Sequence, residues 1–126
     1  MEPTILLVDD DEAVRRILRK VLESQPYRVV ETGHPYHACK LYDADRMAID
    51  LVVTDLKMPG MSGQQVAAHI WASRPELPVV FITGYSDHSY PHDLHGTHSR
   101  YIEKPFESEV LLDHVAELLL SHPRVG

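Results

Sequence analysis

Cysteine is almost missing from this chain, which holds one among 126 residues. That lone Cys39 cannot close an internal disulfide, so packing alone must hold the fold, as suits a reducing compartment. Basic residues are outnumbered, with 12 Lys and Arg against 19 Asp and Glu for a formal net charge of −7. The balance argues against generic affinity for nucleic acid or an anionic membrane surface. Long apolar runs are missing too. The run Ile5–Val8 meets Asp9, Asp10 and Asp11 at once, which is too short for a signal peptide, and nothing approaches the roughly 20 apolar residues that span a bilayer. Repeats, low-complexity tracts and linker-like composition are also lacking. We therefore expect a soluble cytoplasmic chain with no membrane and no direct nucleic-acid partner. Its length suits one domain over 1–126, with a core over about 3–121 and a loose tail at 122–126.

What is present is an alternation of short apolar runs with amphipathic segments. Ile5-Leu6-Leu7-Val8 is continuously apolar, as in a central parallel strand covered on both faces. From Asp11 onward Val14, Ile17, Leu18, Val21 and Leu22 recur at helical spacing, with Arg15, Arg16, Arg19 and Lys20 on the other face. Tyr27 to Glu31 predicts a second strand closed by Gly33, and Pro35 opens a helix whose stripe is Tyr36, Cys39 and Leu41 or Tyr42. Ile49 to Thr54 predicts a third strand. Ser62 and Gln65 stand at capping-box spacing before a helix that buries Val66, Ala67, Ile70 and Trp71. Val79 to Ile82 is a fourth strand, and Tyr101-Ile102 a short last one. Ser108 caps a final helix with a stripe of Val110, Leu111, His114, Val115, Leu118 and Leu119. Between Tyr85 and Ser99 no helical period fits, and we expect a short or irregular helix there.

Such alternation predicts a doubly wound α/β fold, a five-stranded parallel sheet with helices on both faces. The more apolar first, third and fourth runs belong in its centre and the second and fifth at its edges, which partly supports the order 2-1-3-4-5 that we expect. In a sheet of this kind ligands bind where loops leave the carboxyl ends of the strands. The residues there are Asp9 and Asp10, Asp55, Thr83 and Lys104. Three carboxylates held together repel one another and invite a hard divalent cation with oxygen ligands, Mg²⁺ or Mn²⁺. A lysine and a hydroxyl facing the same cation suit a phosphoryl group, whose oxygens need positive charge and donors. Singly, each residue has a plainer role: acids at a helix start cap it, an acid before a turn shapes the turn, and a lysine before proline is solvated. Their arrival together at consecutive strand ends favours chemistry.

Leu-Leu-Val-Asp9-Asp10, Thr54-Asp55-Leu-Lys-Met-Pro-Gly, Ile82-Thr83-Gly84 and Tyr101-Ile-Glu-Lys104-Pro105-Phe106 together resemble the receiver domain of two-component response regulators, a flavodoxin-like fold. The resemblance covers nearly the whole chain. It implies that Asp55 accepts a phosphoryl group from a histidine kinase or a histidine phosphotransfer protein. It implies that Asp10, Asp55 and the Lys57 backbone carbonyl bind Mg²⁺, with Asp9 acting through a water. Lys104 would neutralise a phosphoryl oxygen, Thr83 would turn inward to the phosphoryl group, and Tyr101 would fill the space Thr83 leaves. Gly84 would keep the site open, and Lys104–Pro105 would be a cis peptide. The outputs the resemblance implies include self-association through the last helix and strands. The style of Phe81–Tyr85 and Glu103–Phe106 is similar to receivers of hybrid histidine kinases.

Lys57, two residues after Asp55, adds a cation that we expect to influence the phosphoryl lifetime. Two other functions compete. Asp9-Asp10-Asp11 superficially fits the Asp-x-Asp of haloacid-dehalogenase-like phosphatases, but Ala13 stands where that motif continues with Thr or Val. A pseudo-receiver that binds partners without phosphorylation is the other, and the full acid, Thr and Lys set argues against it. His88, His92, His95 and His98 recur at spacings of four, three and three, which on a helix makes a transition-metal site. Pro91 and Gly96 disfavour that helix.

Overall fold

The computed structural model describes residues 2–84 and 99–122. In chain order its elements are β1 (Thr4–Val8), α1 (Glu12–Glu23), β2 (Arg28–Thr32), α2 (Pro35–Ala44), a 3-10 turn (Arg46–Ala48), β3 (Leu51–Asp55), α3 (Gly63–Trp71), β4 (Val79–Gly84), β5 (Ser99–Lys104) and α4 (Ser108–Ser121). The strands form one parallel sheet in the expected order β2-β1-β3-β4-β5, with the less apolar β2 and β5 at its edges. From Ile5 through Val8, Leu51 through Thr54 and Val79 through Thr83 the three inner strands are buried without interruption. β2 and β5 carry exposed or half-buried positions, as edge strands do.

Strand alternation splits the core in two. Leu6, Val8, Val52, Val79 and Phe81 turn toward α2 and α3, where they meet Ala38, Tyr42, Val66, Ile70 and Trp71. Ile5, Leu7, Leu51, Val53, Val80 and Ile82 turn toward α1 and α4, onto Leu18, Leu22, Leu111, Val115 and Leu118. Each fully buried aliphatic side chain contributes about 1.5–3 kcal/mol relative to exposure. Two large polar side chains within the α2/α3 layer are paired. The Trp71 indole N–H donates to the Leu77 carbonyl at 2.8 Å, and the Tyr42 hydroxyl lies 2.6 Å from Ser73 Oγ.

Helix starts follow local chemistry. Asp11 is the N-cap of α1 and accepts from the N–H groups of Ala13 and Val14. One of the three leading acids is thus a cap, which leaves Asp9 and Asp10 for other work. Ser62 and Gln65 form a complete capping box at α3.

Several expectations need correction. Ile17, Tyr36 and Val110 are exposed rather than core, at 63%, 59% and 40%. In α1 the stripe that meets the sheet is narrowed to Leu18 and Leu22, flanked by Val14 and Val21, so a residue one step off it faces water. In α2 the N-terminal contact is made by Pro35 and Ala38 instead of Tyr36. Ser108 is the first residue of α4, not its cap; Glu107 holds the cap position without a side-chain bond. β5 is six residues long and pairs with β4 along its whole length, from Ser99 to Lys104. Backbone pairing extends a strand beyond its apolar centre, and Arg100 and Glu103 carry no apolar signal. The expected irregular helix, with His88, His92, His95 and His98, falls on 85–98, outside the described residues.

Candidate functional site

Register brings the polar residues to one edge. Val8 pairs with Thr54, Thr54 with Phe81, and Phe81 with Tyr101. Asp9 and Asp55 therefore stand at the same level, one residue farther along. Thr83 is one step above them, and Lys104 two. By alternation Asp9, Asp55 and Lys104 belong to the α1/α4 face, while Thr83 and Tyr101 belong to the α2/α3 face. The Tyr101 ring stacks on Phe81 there, centroids 4.9 Å apart.

Carboxylate oxygens of Asp9, Asp10 and Asp55 lie within 4.8 Å of one another. Asp9 is fully buried, Asp55 half-buried and Asp10 exposed. Asp9 Oδ1 accepts the Asp11 N–H at 2.9 Å, but its Oδ2 is buried with no hydrogen-bond partner among the described residues. Burial lifts the Asp9 carboxyl to about 6; Asp55 and Asp10 add to this, and the Asp11 N–H and Lys104 oppose it. Burial likewise raises Asp55, with Asp10 adding and Lys104 and the N–H groups of Leu56 and Lys57 opposing. Repulsion, desolvation and an orphaned oxygen all point the same way: this donor set fits a hard divalent cation, which relieves each of them.

The remaining predicted residues surround this cluster. Thr83 is buried and its hydroxyl donates to the Gly84 carbonyl at 3.2 Å. Gly84 is half-buried, and no described atom lies within 4 Å of where a Cβ on it would be. The Lys57 side chain is exposed, and the Lys104–Pro105 peptide is cis. Gly60, in the loop after Asp55, has φ +86°, a conformation that favours glycine.

Two residues escape sequence reasoning. A Cβ on Gly63 would lie 2.2 Å from the Asp55 carbonyl oxygen, so only glycine lets the start of α3 sit against the strand end that carries Asp55. The Gly63 N–H also donates to the Leu56 carbonyl at 2.8 Å. A glycine in the first turn of a helix, beside a ready cap, is the available signal for such a close approach. Arg15, assigned to the solvent face, is half-buried and donates to the Asp9 carbonyl at 2.8 Å.

A family model for the response regulator receiver domain matches residues 5–116. The chain belongs to that family. Among relatives of this receiver domain, the response regulator protein FleR of Pseudomonas aeruginosa is 36% identical over 123 residues, covering 92% of this chain and 24% of FleR. The sensor kinase CckA of Brucella abortus is 29% identical over 117 residues, covering 92% of this chain and 12% of that protein. The chain thus spans a quarter or less of the length of these two relatives. A solved response regulator receiver protein from Sinorhizobium medicae superposes with a TM-score of 0.83 at 28% identity, covering 96% of this chain and 97% of the other. Receiver domains bind Mg²⁺ at an acidic pocket and work with histidine kinases or phosphotransfer proteins; Asp9, Asp10 and Asp55 form an acidic cluster here. None of the described helices is long and apolar enough to cross a membrane.

Proposed function

We propose that Asp55 is the phosphoacceptor of this receiver domain and takes its phosphoryl group from a phosphohistidine on a histidine kinase or phosphotransfer protein. The convergence of Asp9, Asp10 and Asp55 within 4.8 Å, under the electrostatic influence of Lys104, carries the reading. An Asp55 carboxylate oxygen attacks phosphorus in line with the P–N bond. The O–P bond forms as the P–N bond breaks, and the leaving imidazole keeps the electron pair and takes a proton. Asp55 is at a strand end backed by the packed start of α3, which holds its backbone while the side chain reacts.

Asp10, Asp55 and the Lys57 carbonyl would hold Mg²⁺ or Mn²⁺ directly, and Asp9 through a water. When bound, the cation neutralises charge on the phosphoryl oxygens. Lys104 pairs with one of those oxygens. The Thr83 hydroxyl gives up its bond to the Gly84 carbonyl and donates to another, and Tyr101, on the same sheet face as Thr83, fills the vacated space. The phosphoryl group shifts this equilibrium only by as much as it binds one state better than the other.

Acetyl phosphate with Mg²⁺ tests the reading. We expect a labile acyl phosphate on Asp55, seen by intact mass and by its hydroxylamine sensitivity, and none on Asp55→Asn. Rapid turnover of phosphomonoesters with Asp9 as nucleophile, or no phosphoryl uptake by the unaltered chain, overturns it.

A further inference from the structure

We propose that Arg15 is a positioning residue for the acidic cluster: it holds the Asp9 carbonyl, and with it the bend from which Asp9 and Asp10 reach the cation. This rests on the reading of Asp9, Asp10 and Asp55 as a divalent-cation site.

Both backbone groups of Asp9 are held, one by the end of β2 and one by α1. Its N–H donates to the Thr32 carbonyl at 3.2 Å, and its carbonyl accepts from Arg15 Nη1 at 2.8 Å. The same guanidinium is anchored by Nε to Glu31 Oε1 at 2.9 Å. With side-chain exposures of 18% and 24%, the Arg15–Glu31 pair is shielded enough to hold one geometry. The Asp11 N–H fixes Oδ1. Backbone and one carboxylate oxygen are thus held, and Oδ2 is left buried with no hydrogen-bond partner among the described residues.

Gly33 completes the device. A Cβ there would stand 2.7 Å from Arg15 Nη1, so any larger residue pushes the guanidinium from the position in which it meets the Asp9 carbonyl. Arg19 offers an internal control, because it pairs with Glu31 and Glu23 from the same helix but makes no contact with Asp9 among the described residues. A role limited to tying α1 to β2 predicts like effects for Arg15 and Arg19. A role in positioning Asp9 separates them.

The full chain is titrated with Mn²⁺, followed by the electron paramagnetic resonance of the free ion, and with Mg²⁺ by calorimetry. Groups that orient metal ligands typically contribute 10–100-fold to affinity, and we expect Arg15→Met and Gly33→Ala each to lose about tenfold. Arg15→Lys should recover part of the loss, and Arg19→Met should bind like the unaltered chain. Should Arg15→Met fail to fold, Gly33→Ala, which keeps the arginine, decides alone. Unaltered affinity in Gly33→Ala and Arg15→Met overturns the inference and leaves the cation site standing, as does an equal loss in Arg19→Met. Absence of saturable binding by the unaltered chain overturns the site itself and this inference with it.

Discussion

Asp9 and Glu31 are buried or half-buried carboxylates near the ends of two neighbouring strands, and their acidities move in opposite directions. Burial and two like charges lift Asp9 to about 6. Burial also pushes Glu31 up, but the guanidinium groups of Arg15 and Arg19 outweigh it and hold the carboxyl below its ordinary range. The two differ in depth, Asp9 being fully buried and Glu31 half-buried, but it is the cations that set the opposite signs. On the β2 side Glu31 meets Arg15 and Arg19 from α1; on the β1–β3 side Asp9 and Asp55 crowd with Asp10, and Lys104 offsets the crowding only in part. Proteins that shift titrations by crowding like charges do so at functional sites, whereas paired networks are structural. The pair therefore separates a crowded acidic cluster from a brace that is already satisfied.

The comparison can be broken most strongly through the backbone. Gly63→Ala puts a carbon where only 2.2 Å is available before the Asp55 carbonyl, and overpacking against backbone should cost roughly 1–3 kcal/mol or more. Urea unfolding should show a lower midpoint with an unchanged slope. An unchanged midpoint would mean that α3 can withdraw from the site without cost.

Next comes Asp9→Asn. A raised folded-state pKa makes the native state bind more protons than the unfolded state between the two values. For Asp9, stability without Mg²⁺ should be greatest below the ordinary 3.8 and fall as pH rises toward about 6. The Asn variant lacks that decline, so at pH 7 it should melt higher than the unaltered chain, and near pH 3.5 the gap should close. Saturating Mg²⁺ should reverse the order at pH 7, since ligand binding to the native state stabilises it. A melting-temperature series over pH, with and without Mg²⁺, reads all of this.

Glu31→Gln should show the opposite sign. The depressed carboxyl contributes stability above its unfolded value of 4.5, and that contribution is lost as pH falls through the lower folded value. The variant should therefore be less stable at pH 7 and approach the unaltered chain in acid. A loss that persists undiminished at low pH would assign the effect to packing instead of charge. Smallest is Lys57→Ala. The side chain is exposed, so stability should change by less than about 0.5 kcal/mol. The decay rate of the Asp55 acyl phosphate should change nonetheless, and an unaltered decay would remove Lys57 from the chemistry.

Much of the fold and the candidate site was legible because both rest on local contrasts. An apolar run that stops at a charge marks a buried strand and its polar end in the same few residues, as at Val8-Asp9 and Thr54-Asp55. The capping box at Ser62 and Gln65 is similarly local. The failures share the opposite character. Ile17 looked like core because helical periodicity gives the direction of a stripe but not its width, which the neighbouring sheet sets. Ser108 looked like a cap although the chain enters α4 one residue earlier, where Glu107 makes no side-chain bond. Periodicity puts Arg15 on the solvent face, because no local feature shows that Glu31 and the Asp9 carbonyl meet its guanidinium.

Composition and apolar patterning alone determined the class of fold, which strands are central and which lie at the edges, and the acids, hydroxyl and lysine at the strand ends. Those properties follow from solvation preferences that each segment carries by itself. Tertiary structure decided which of three successive acids caps α1, which carboxylate oxygen is left without a donor, and which glycine must stay small. These depend on register and close approach between segments far apart in the chain, and a burial or a hydrogen bond exists only once both partners are in place.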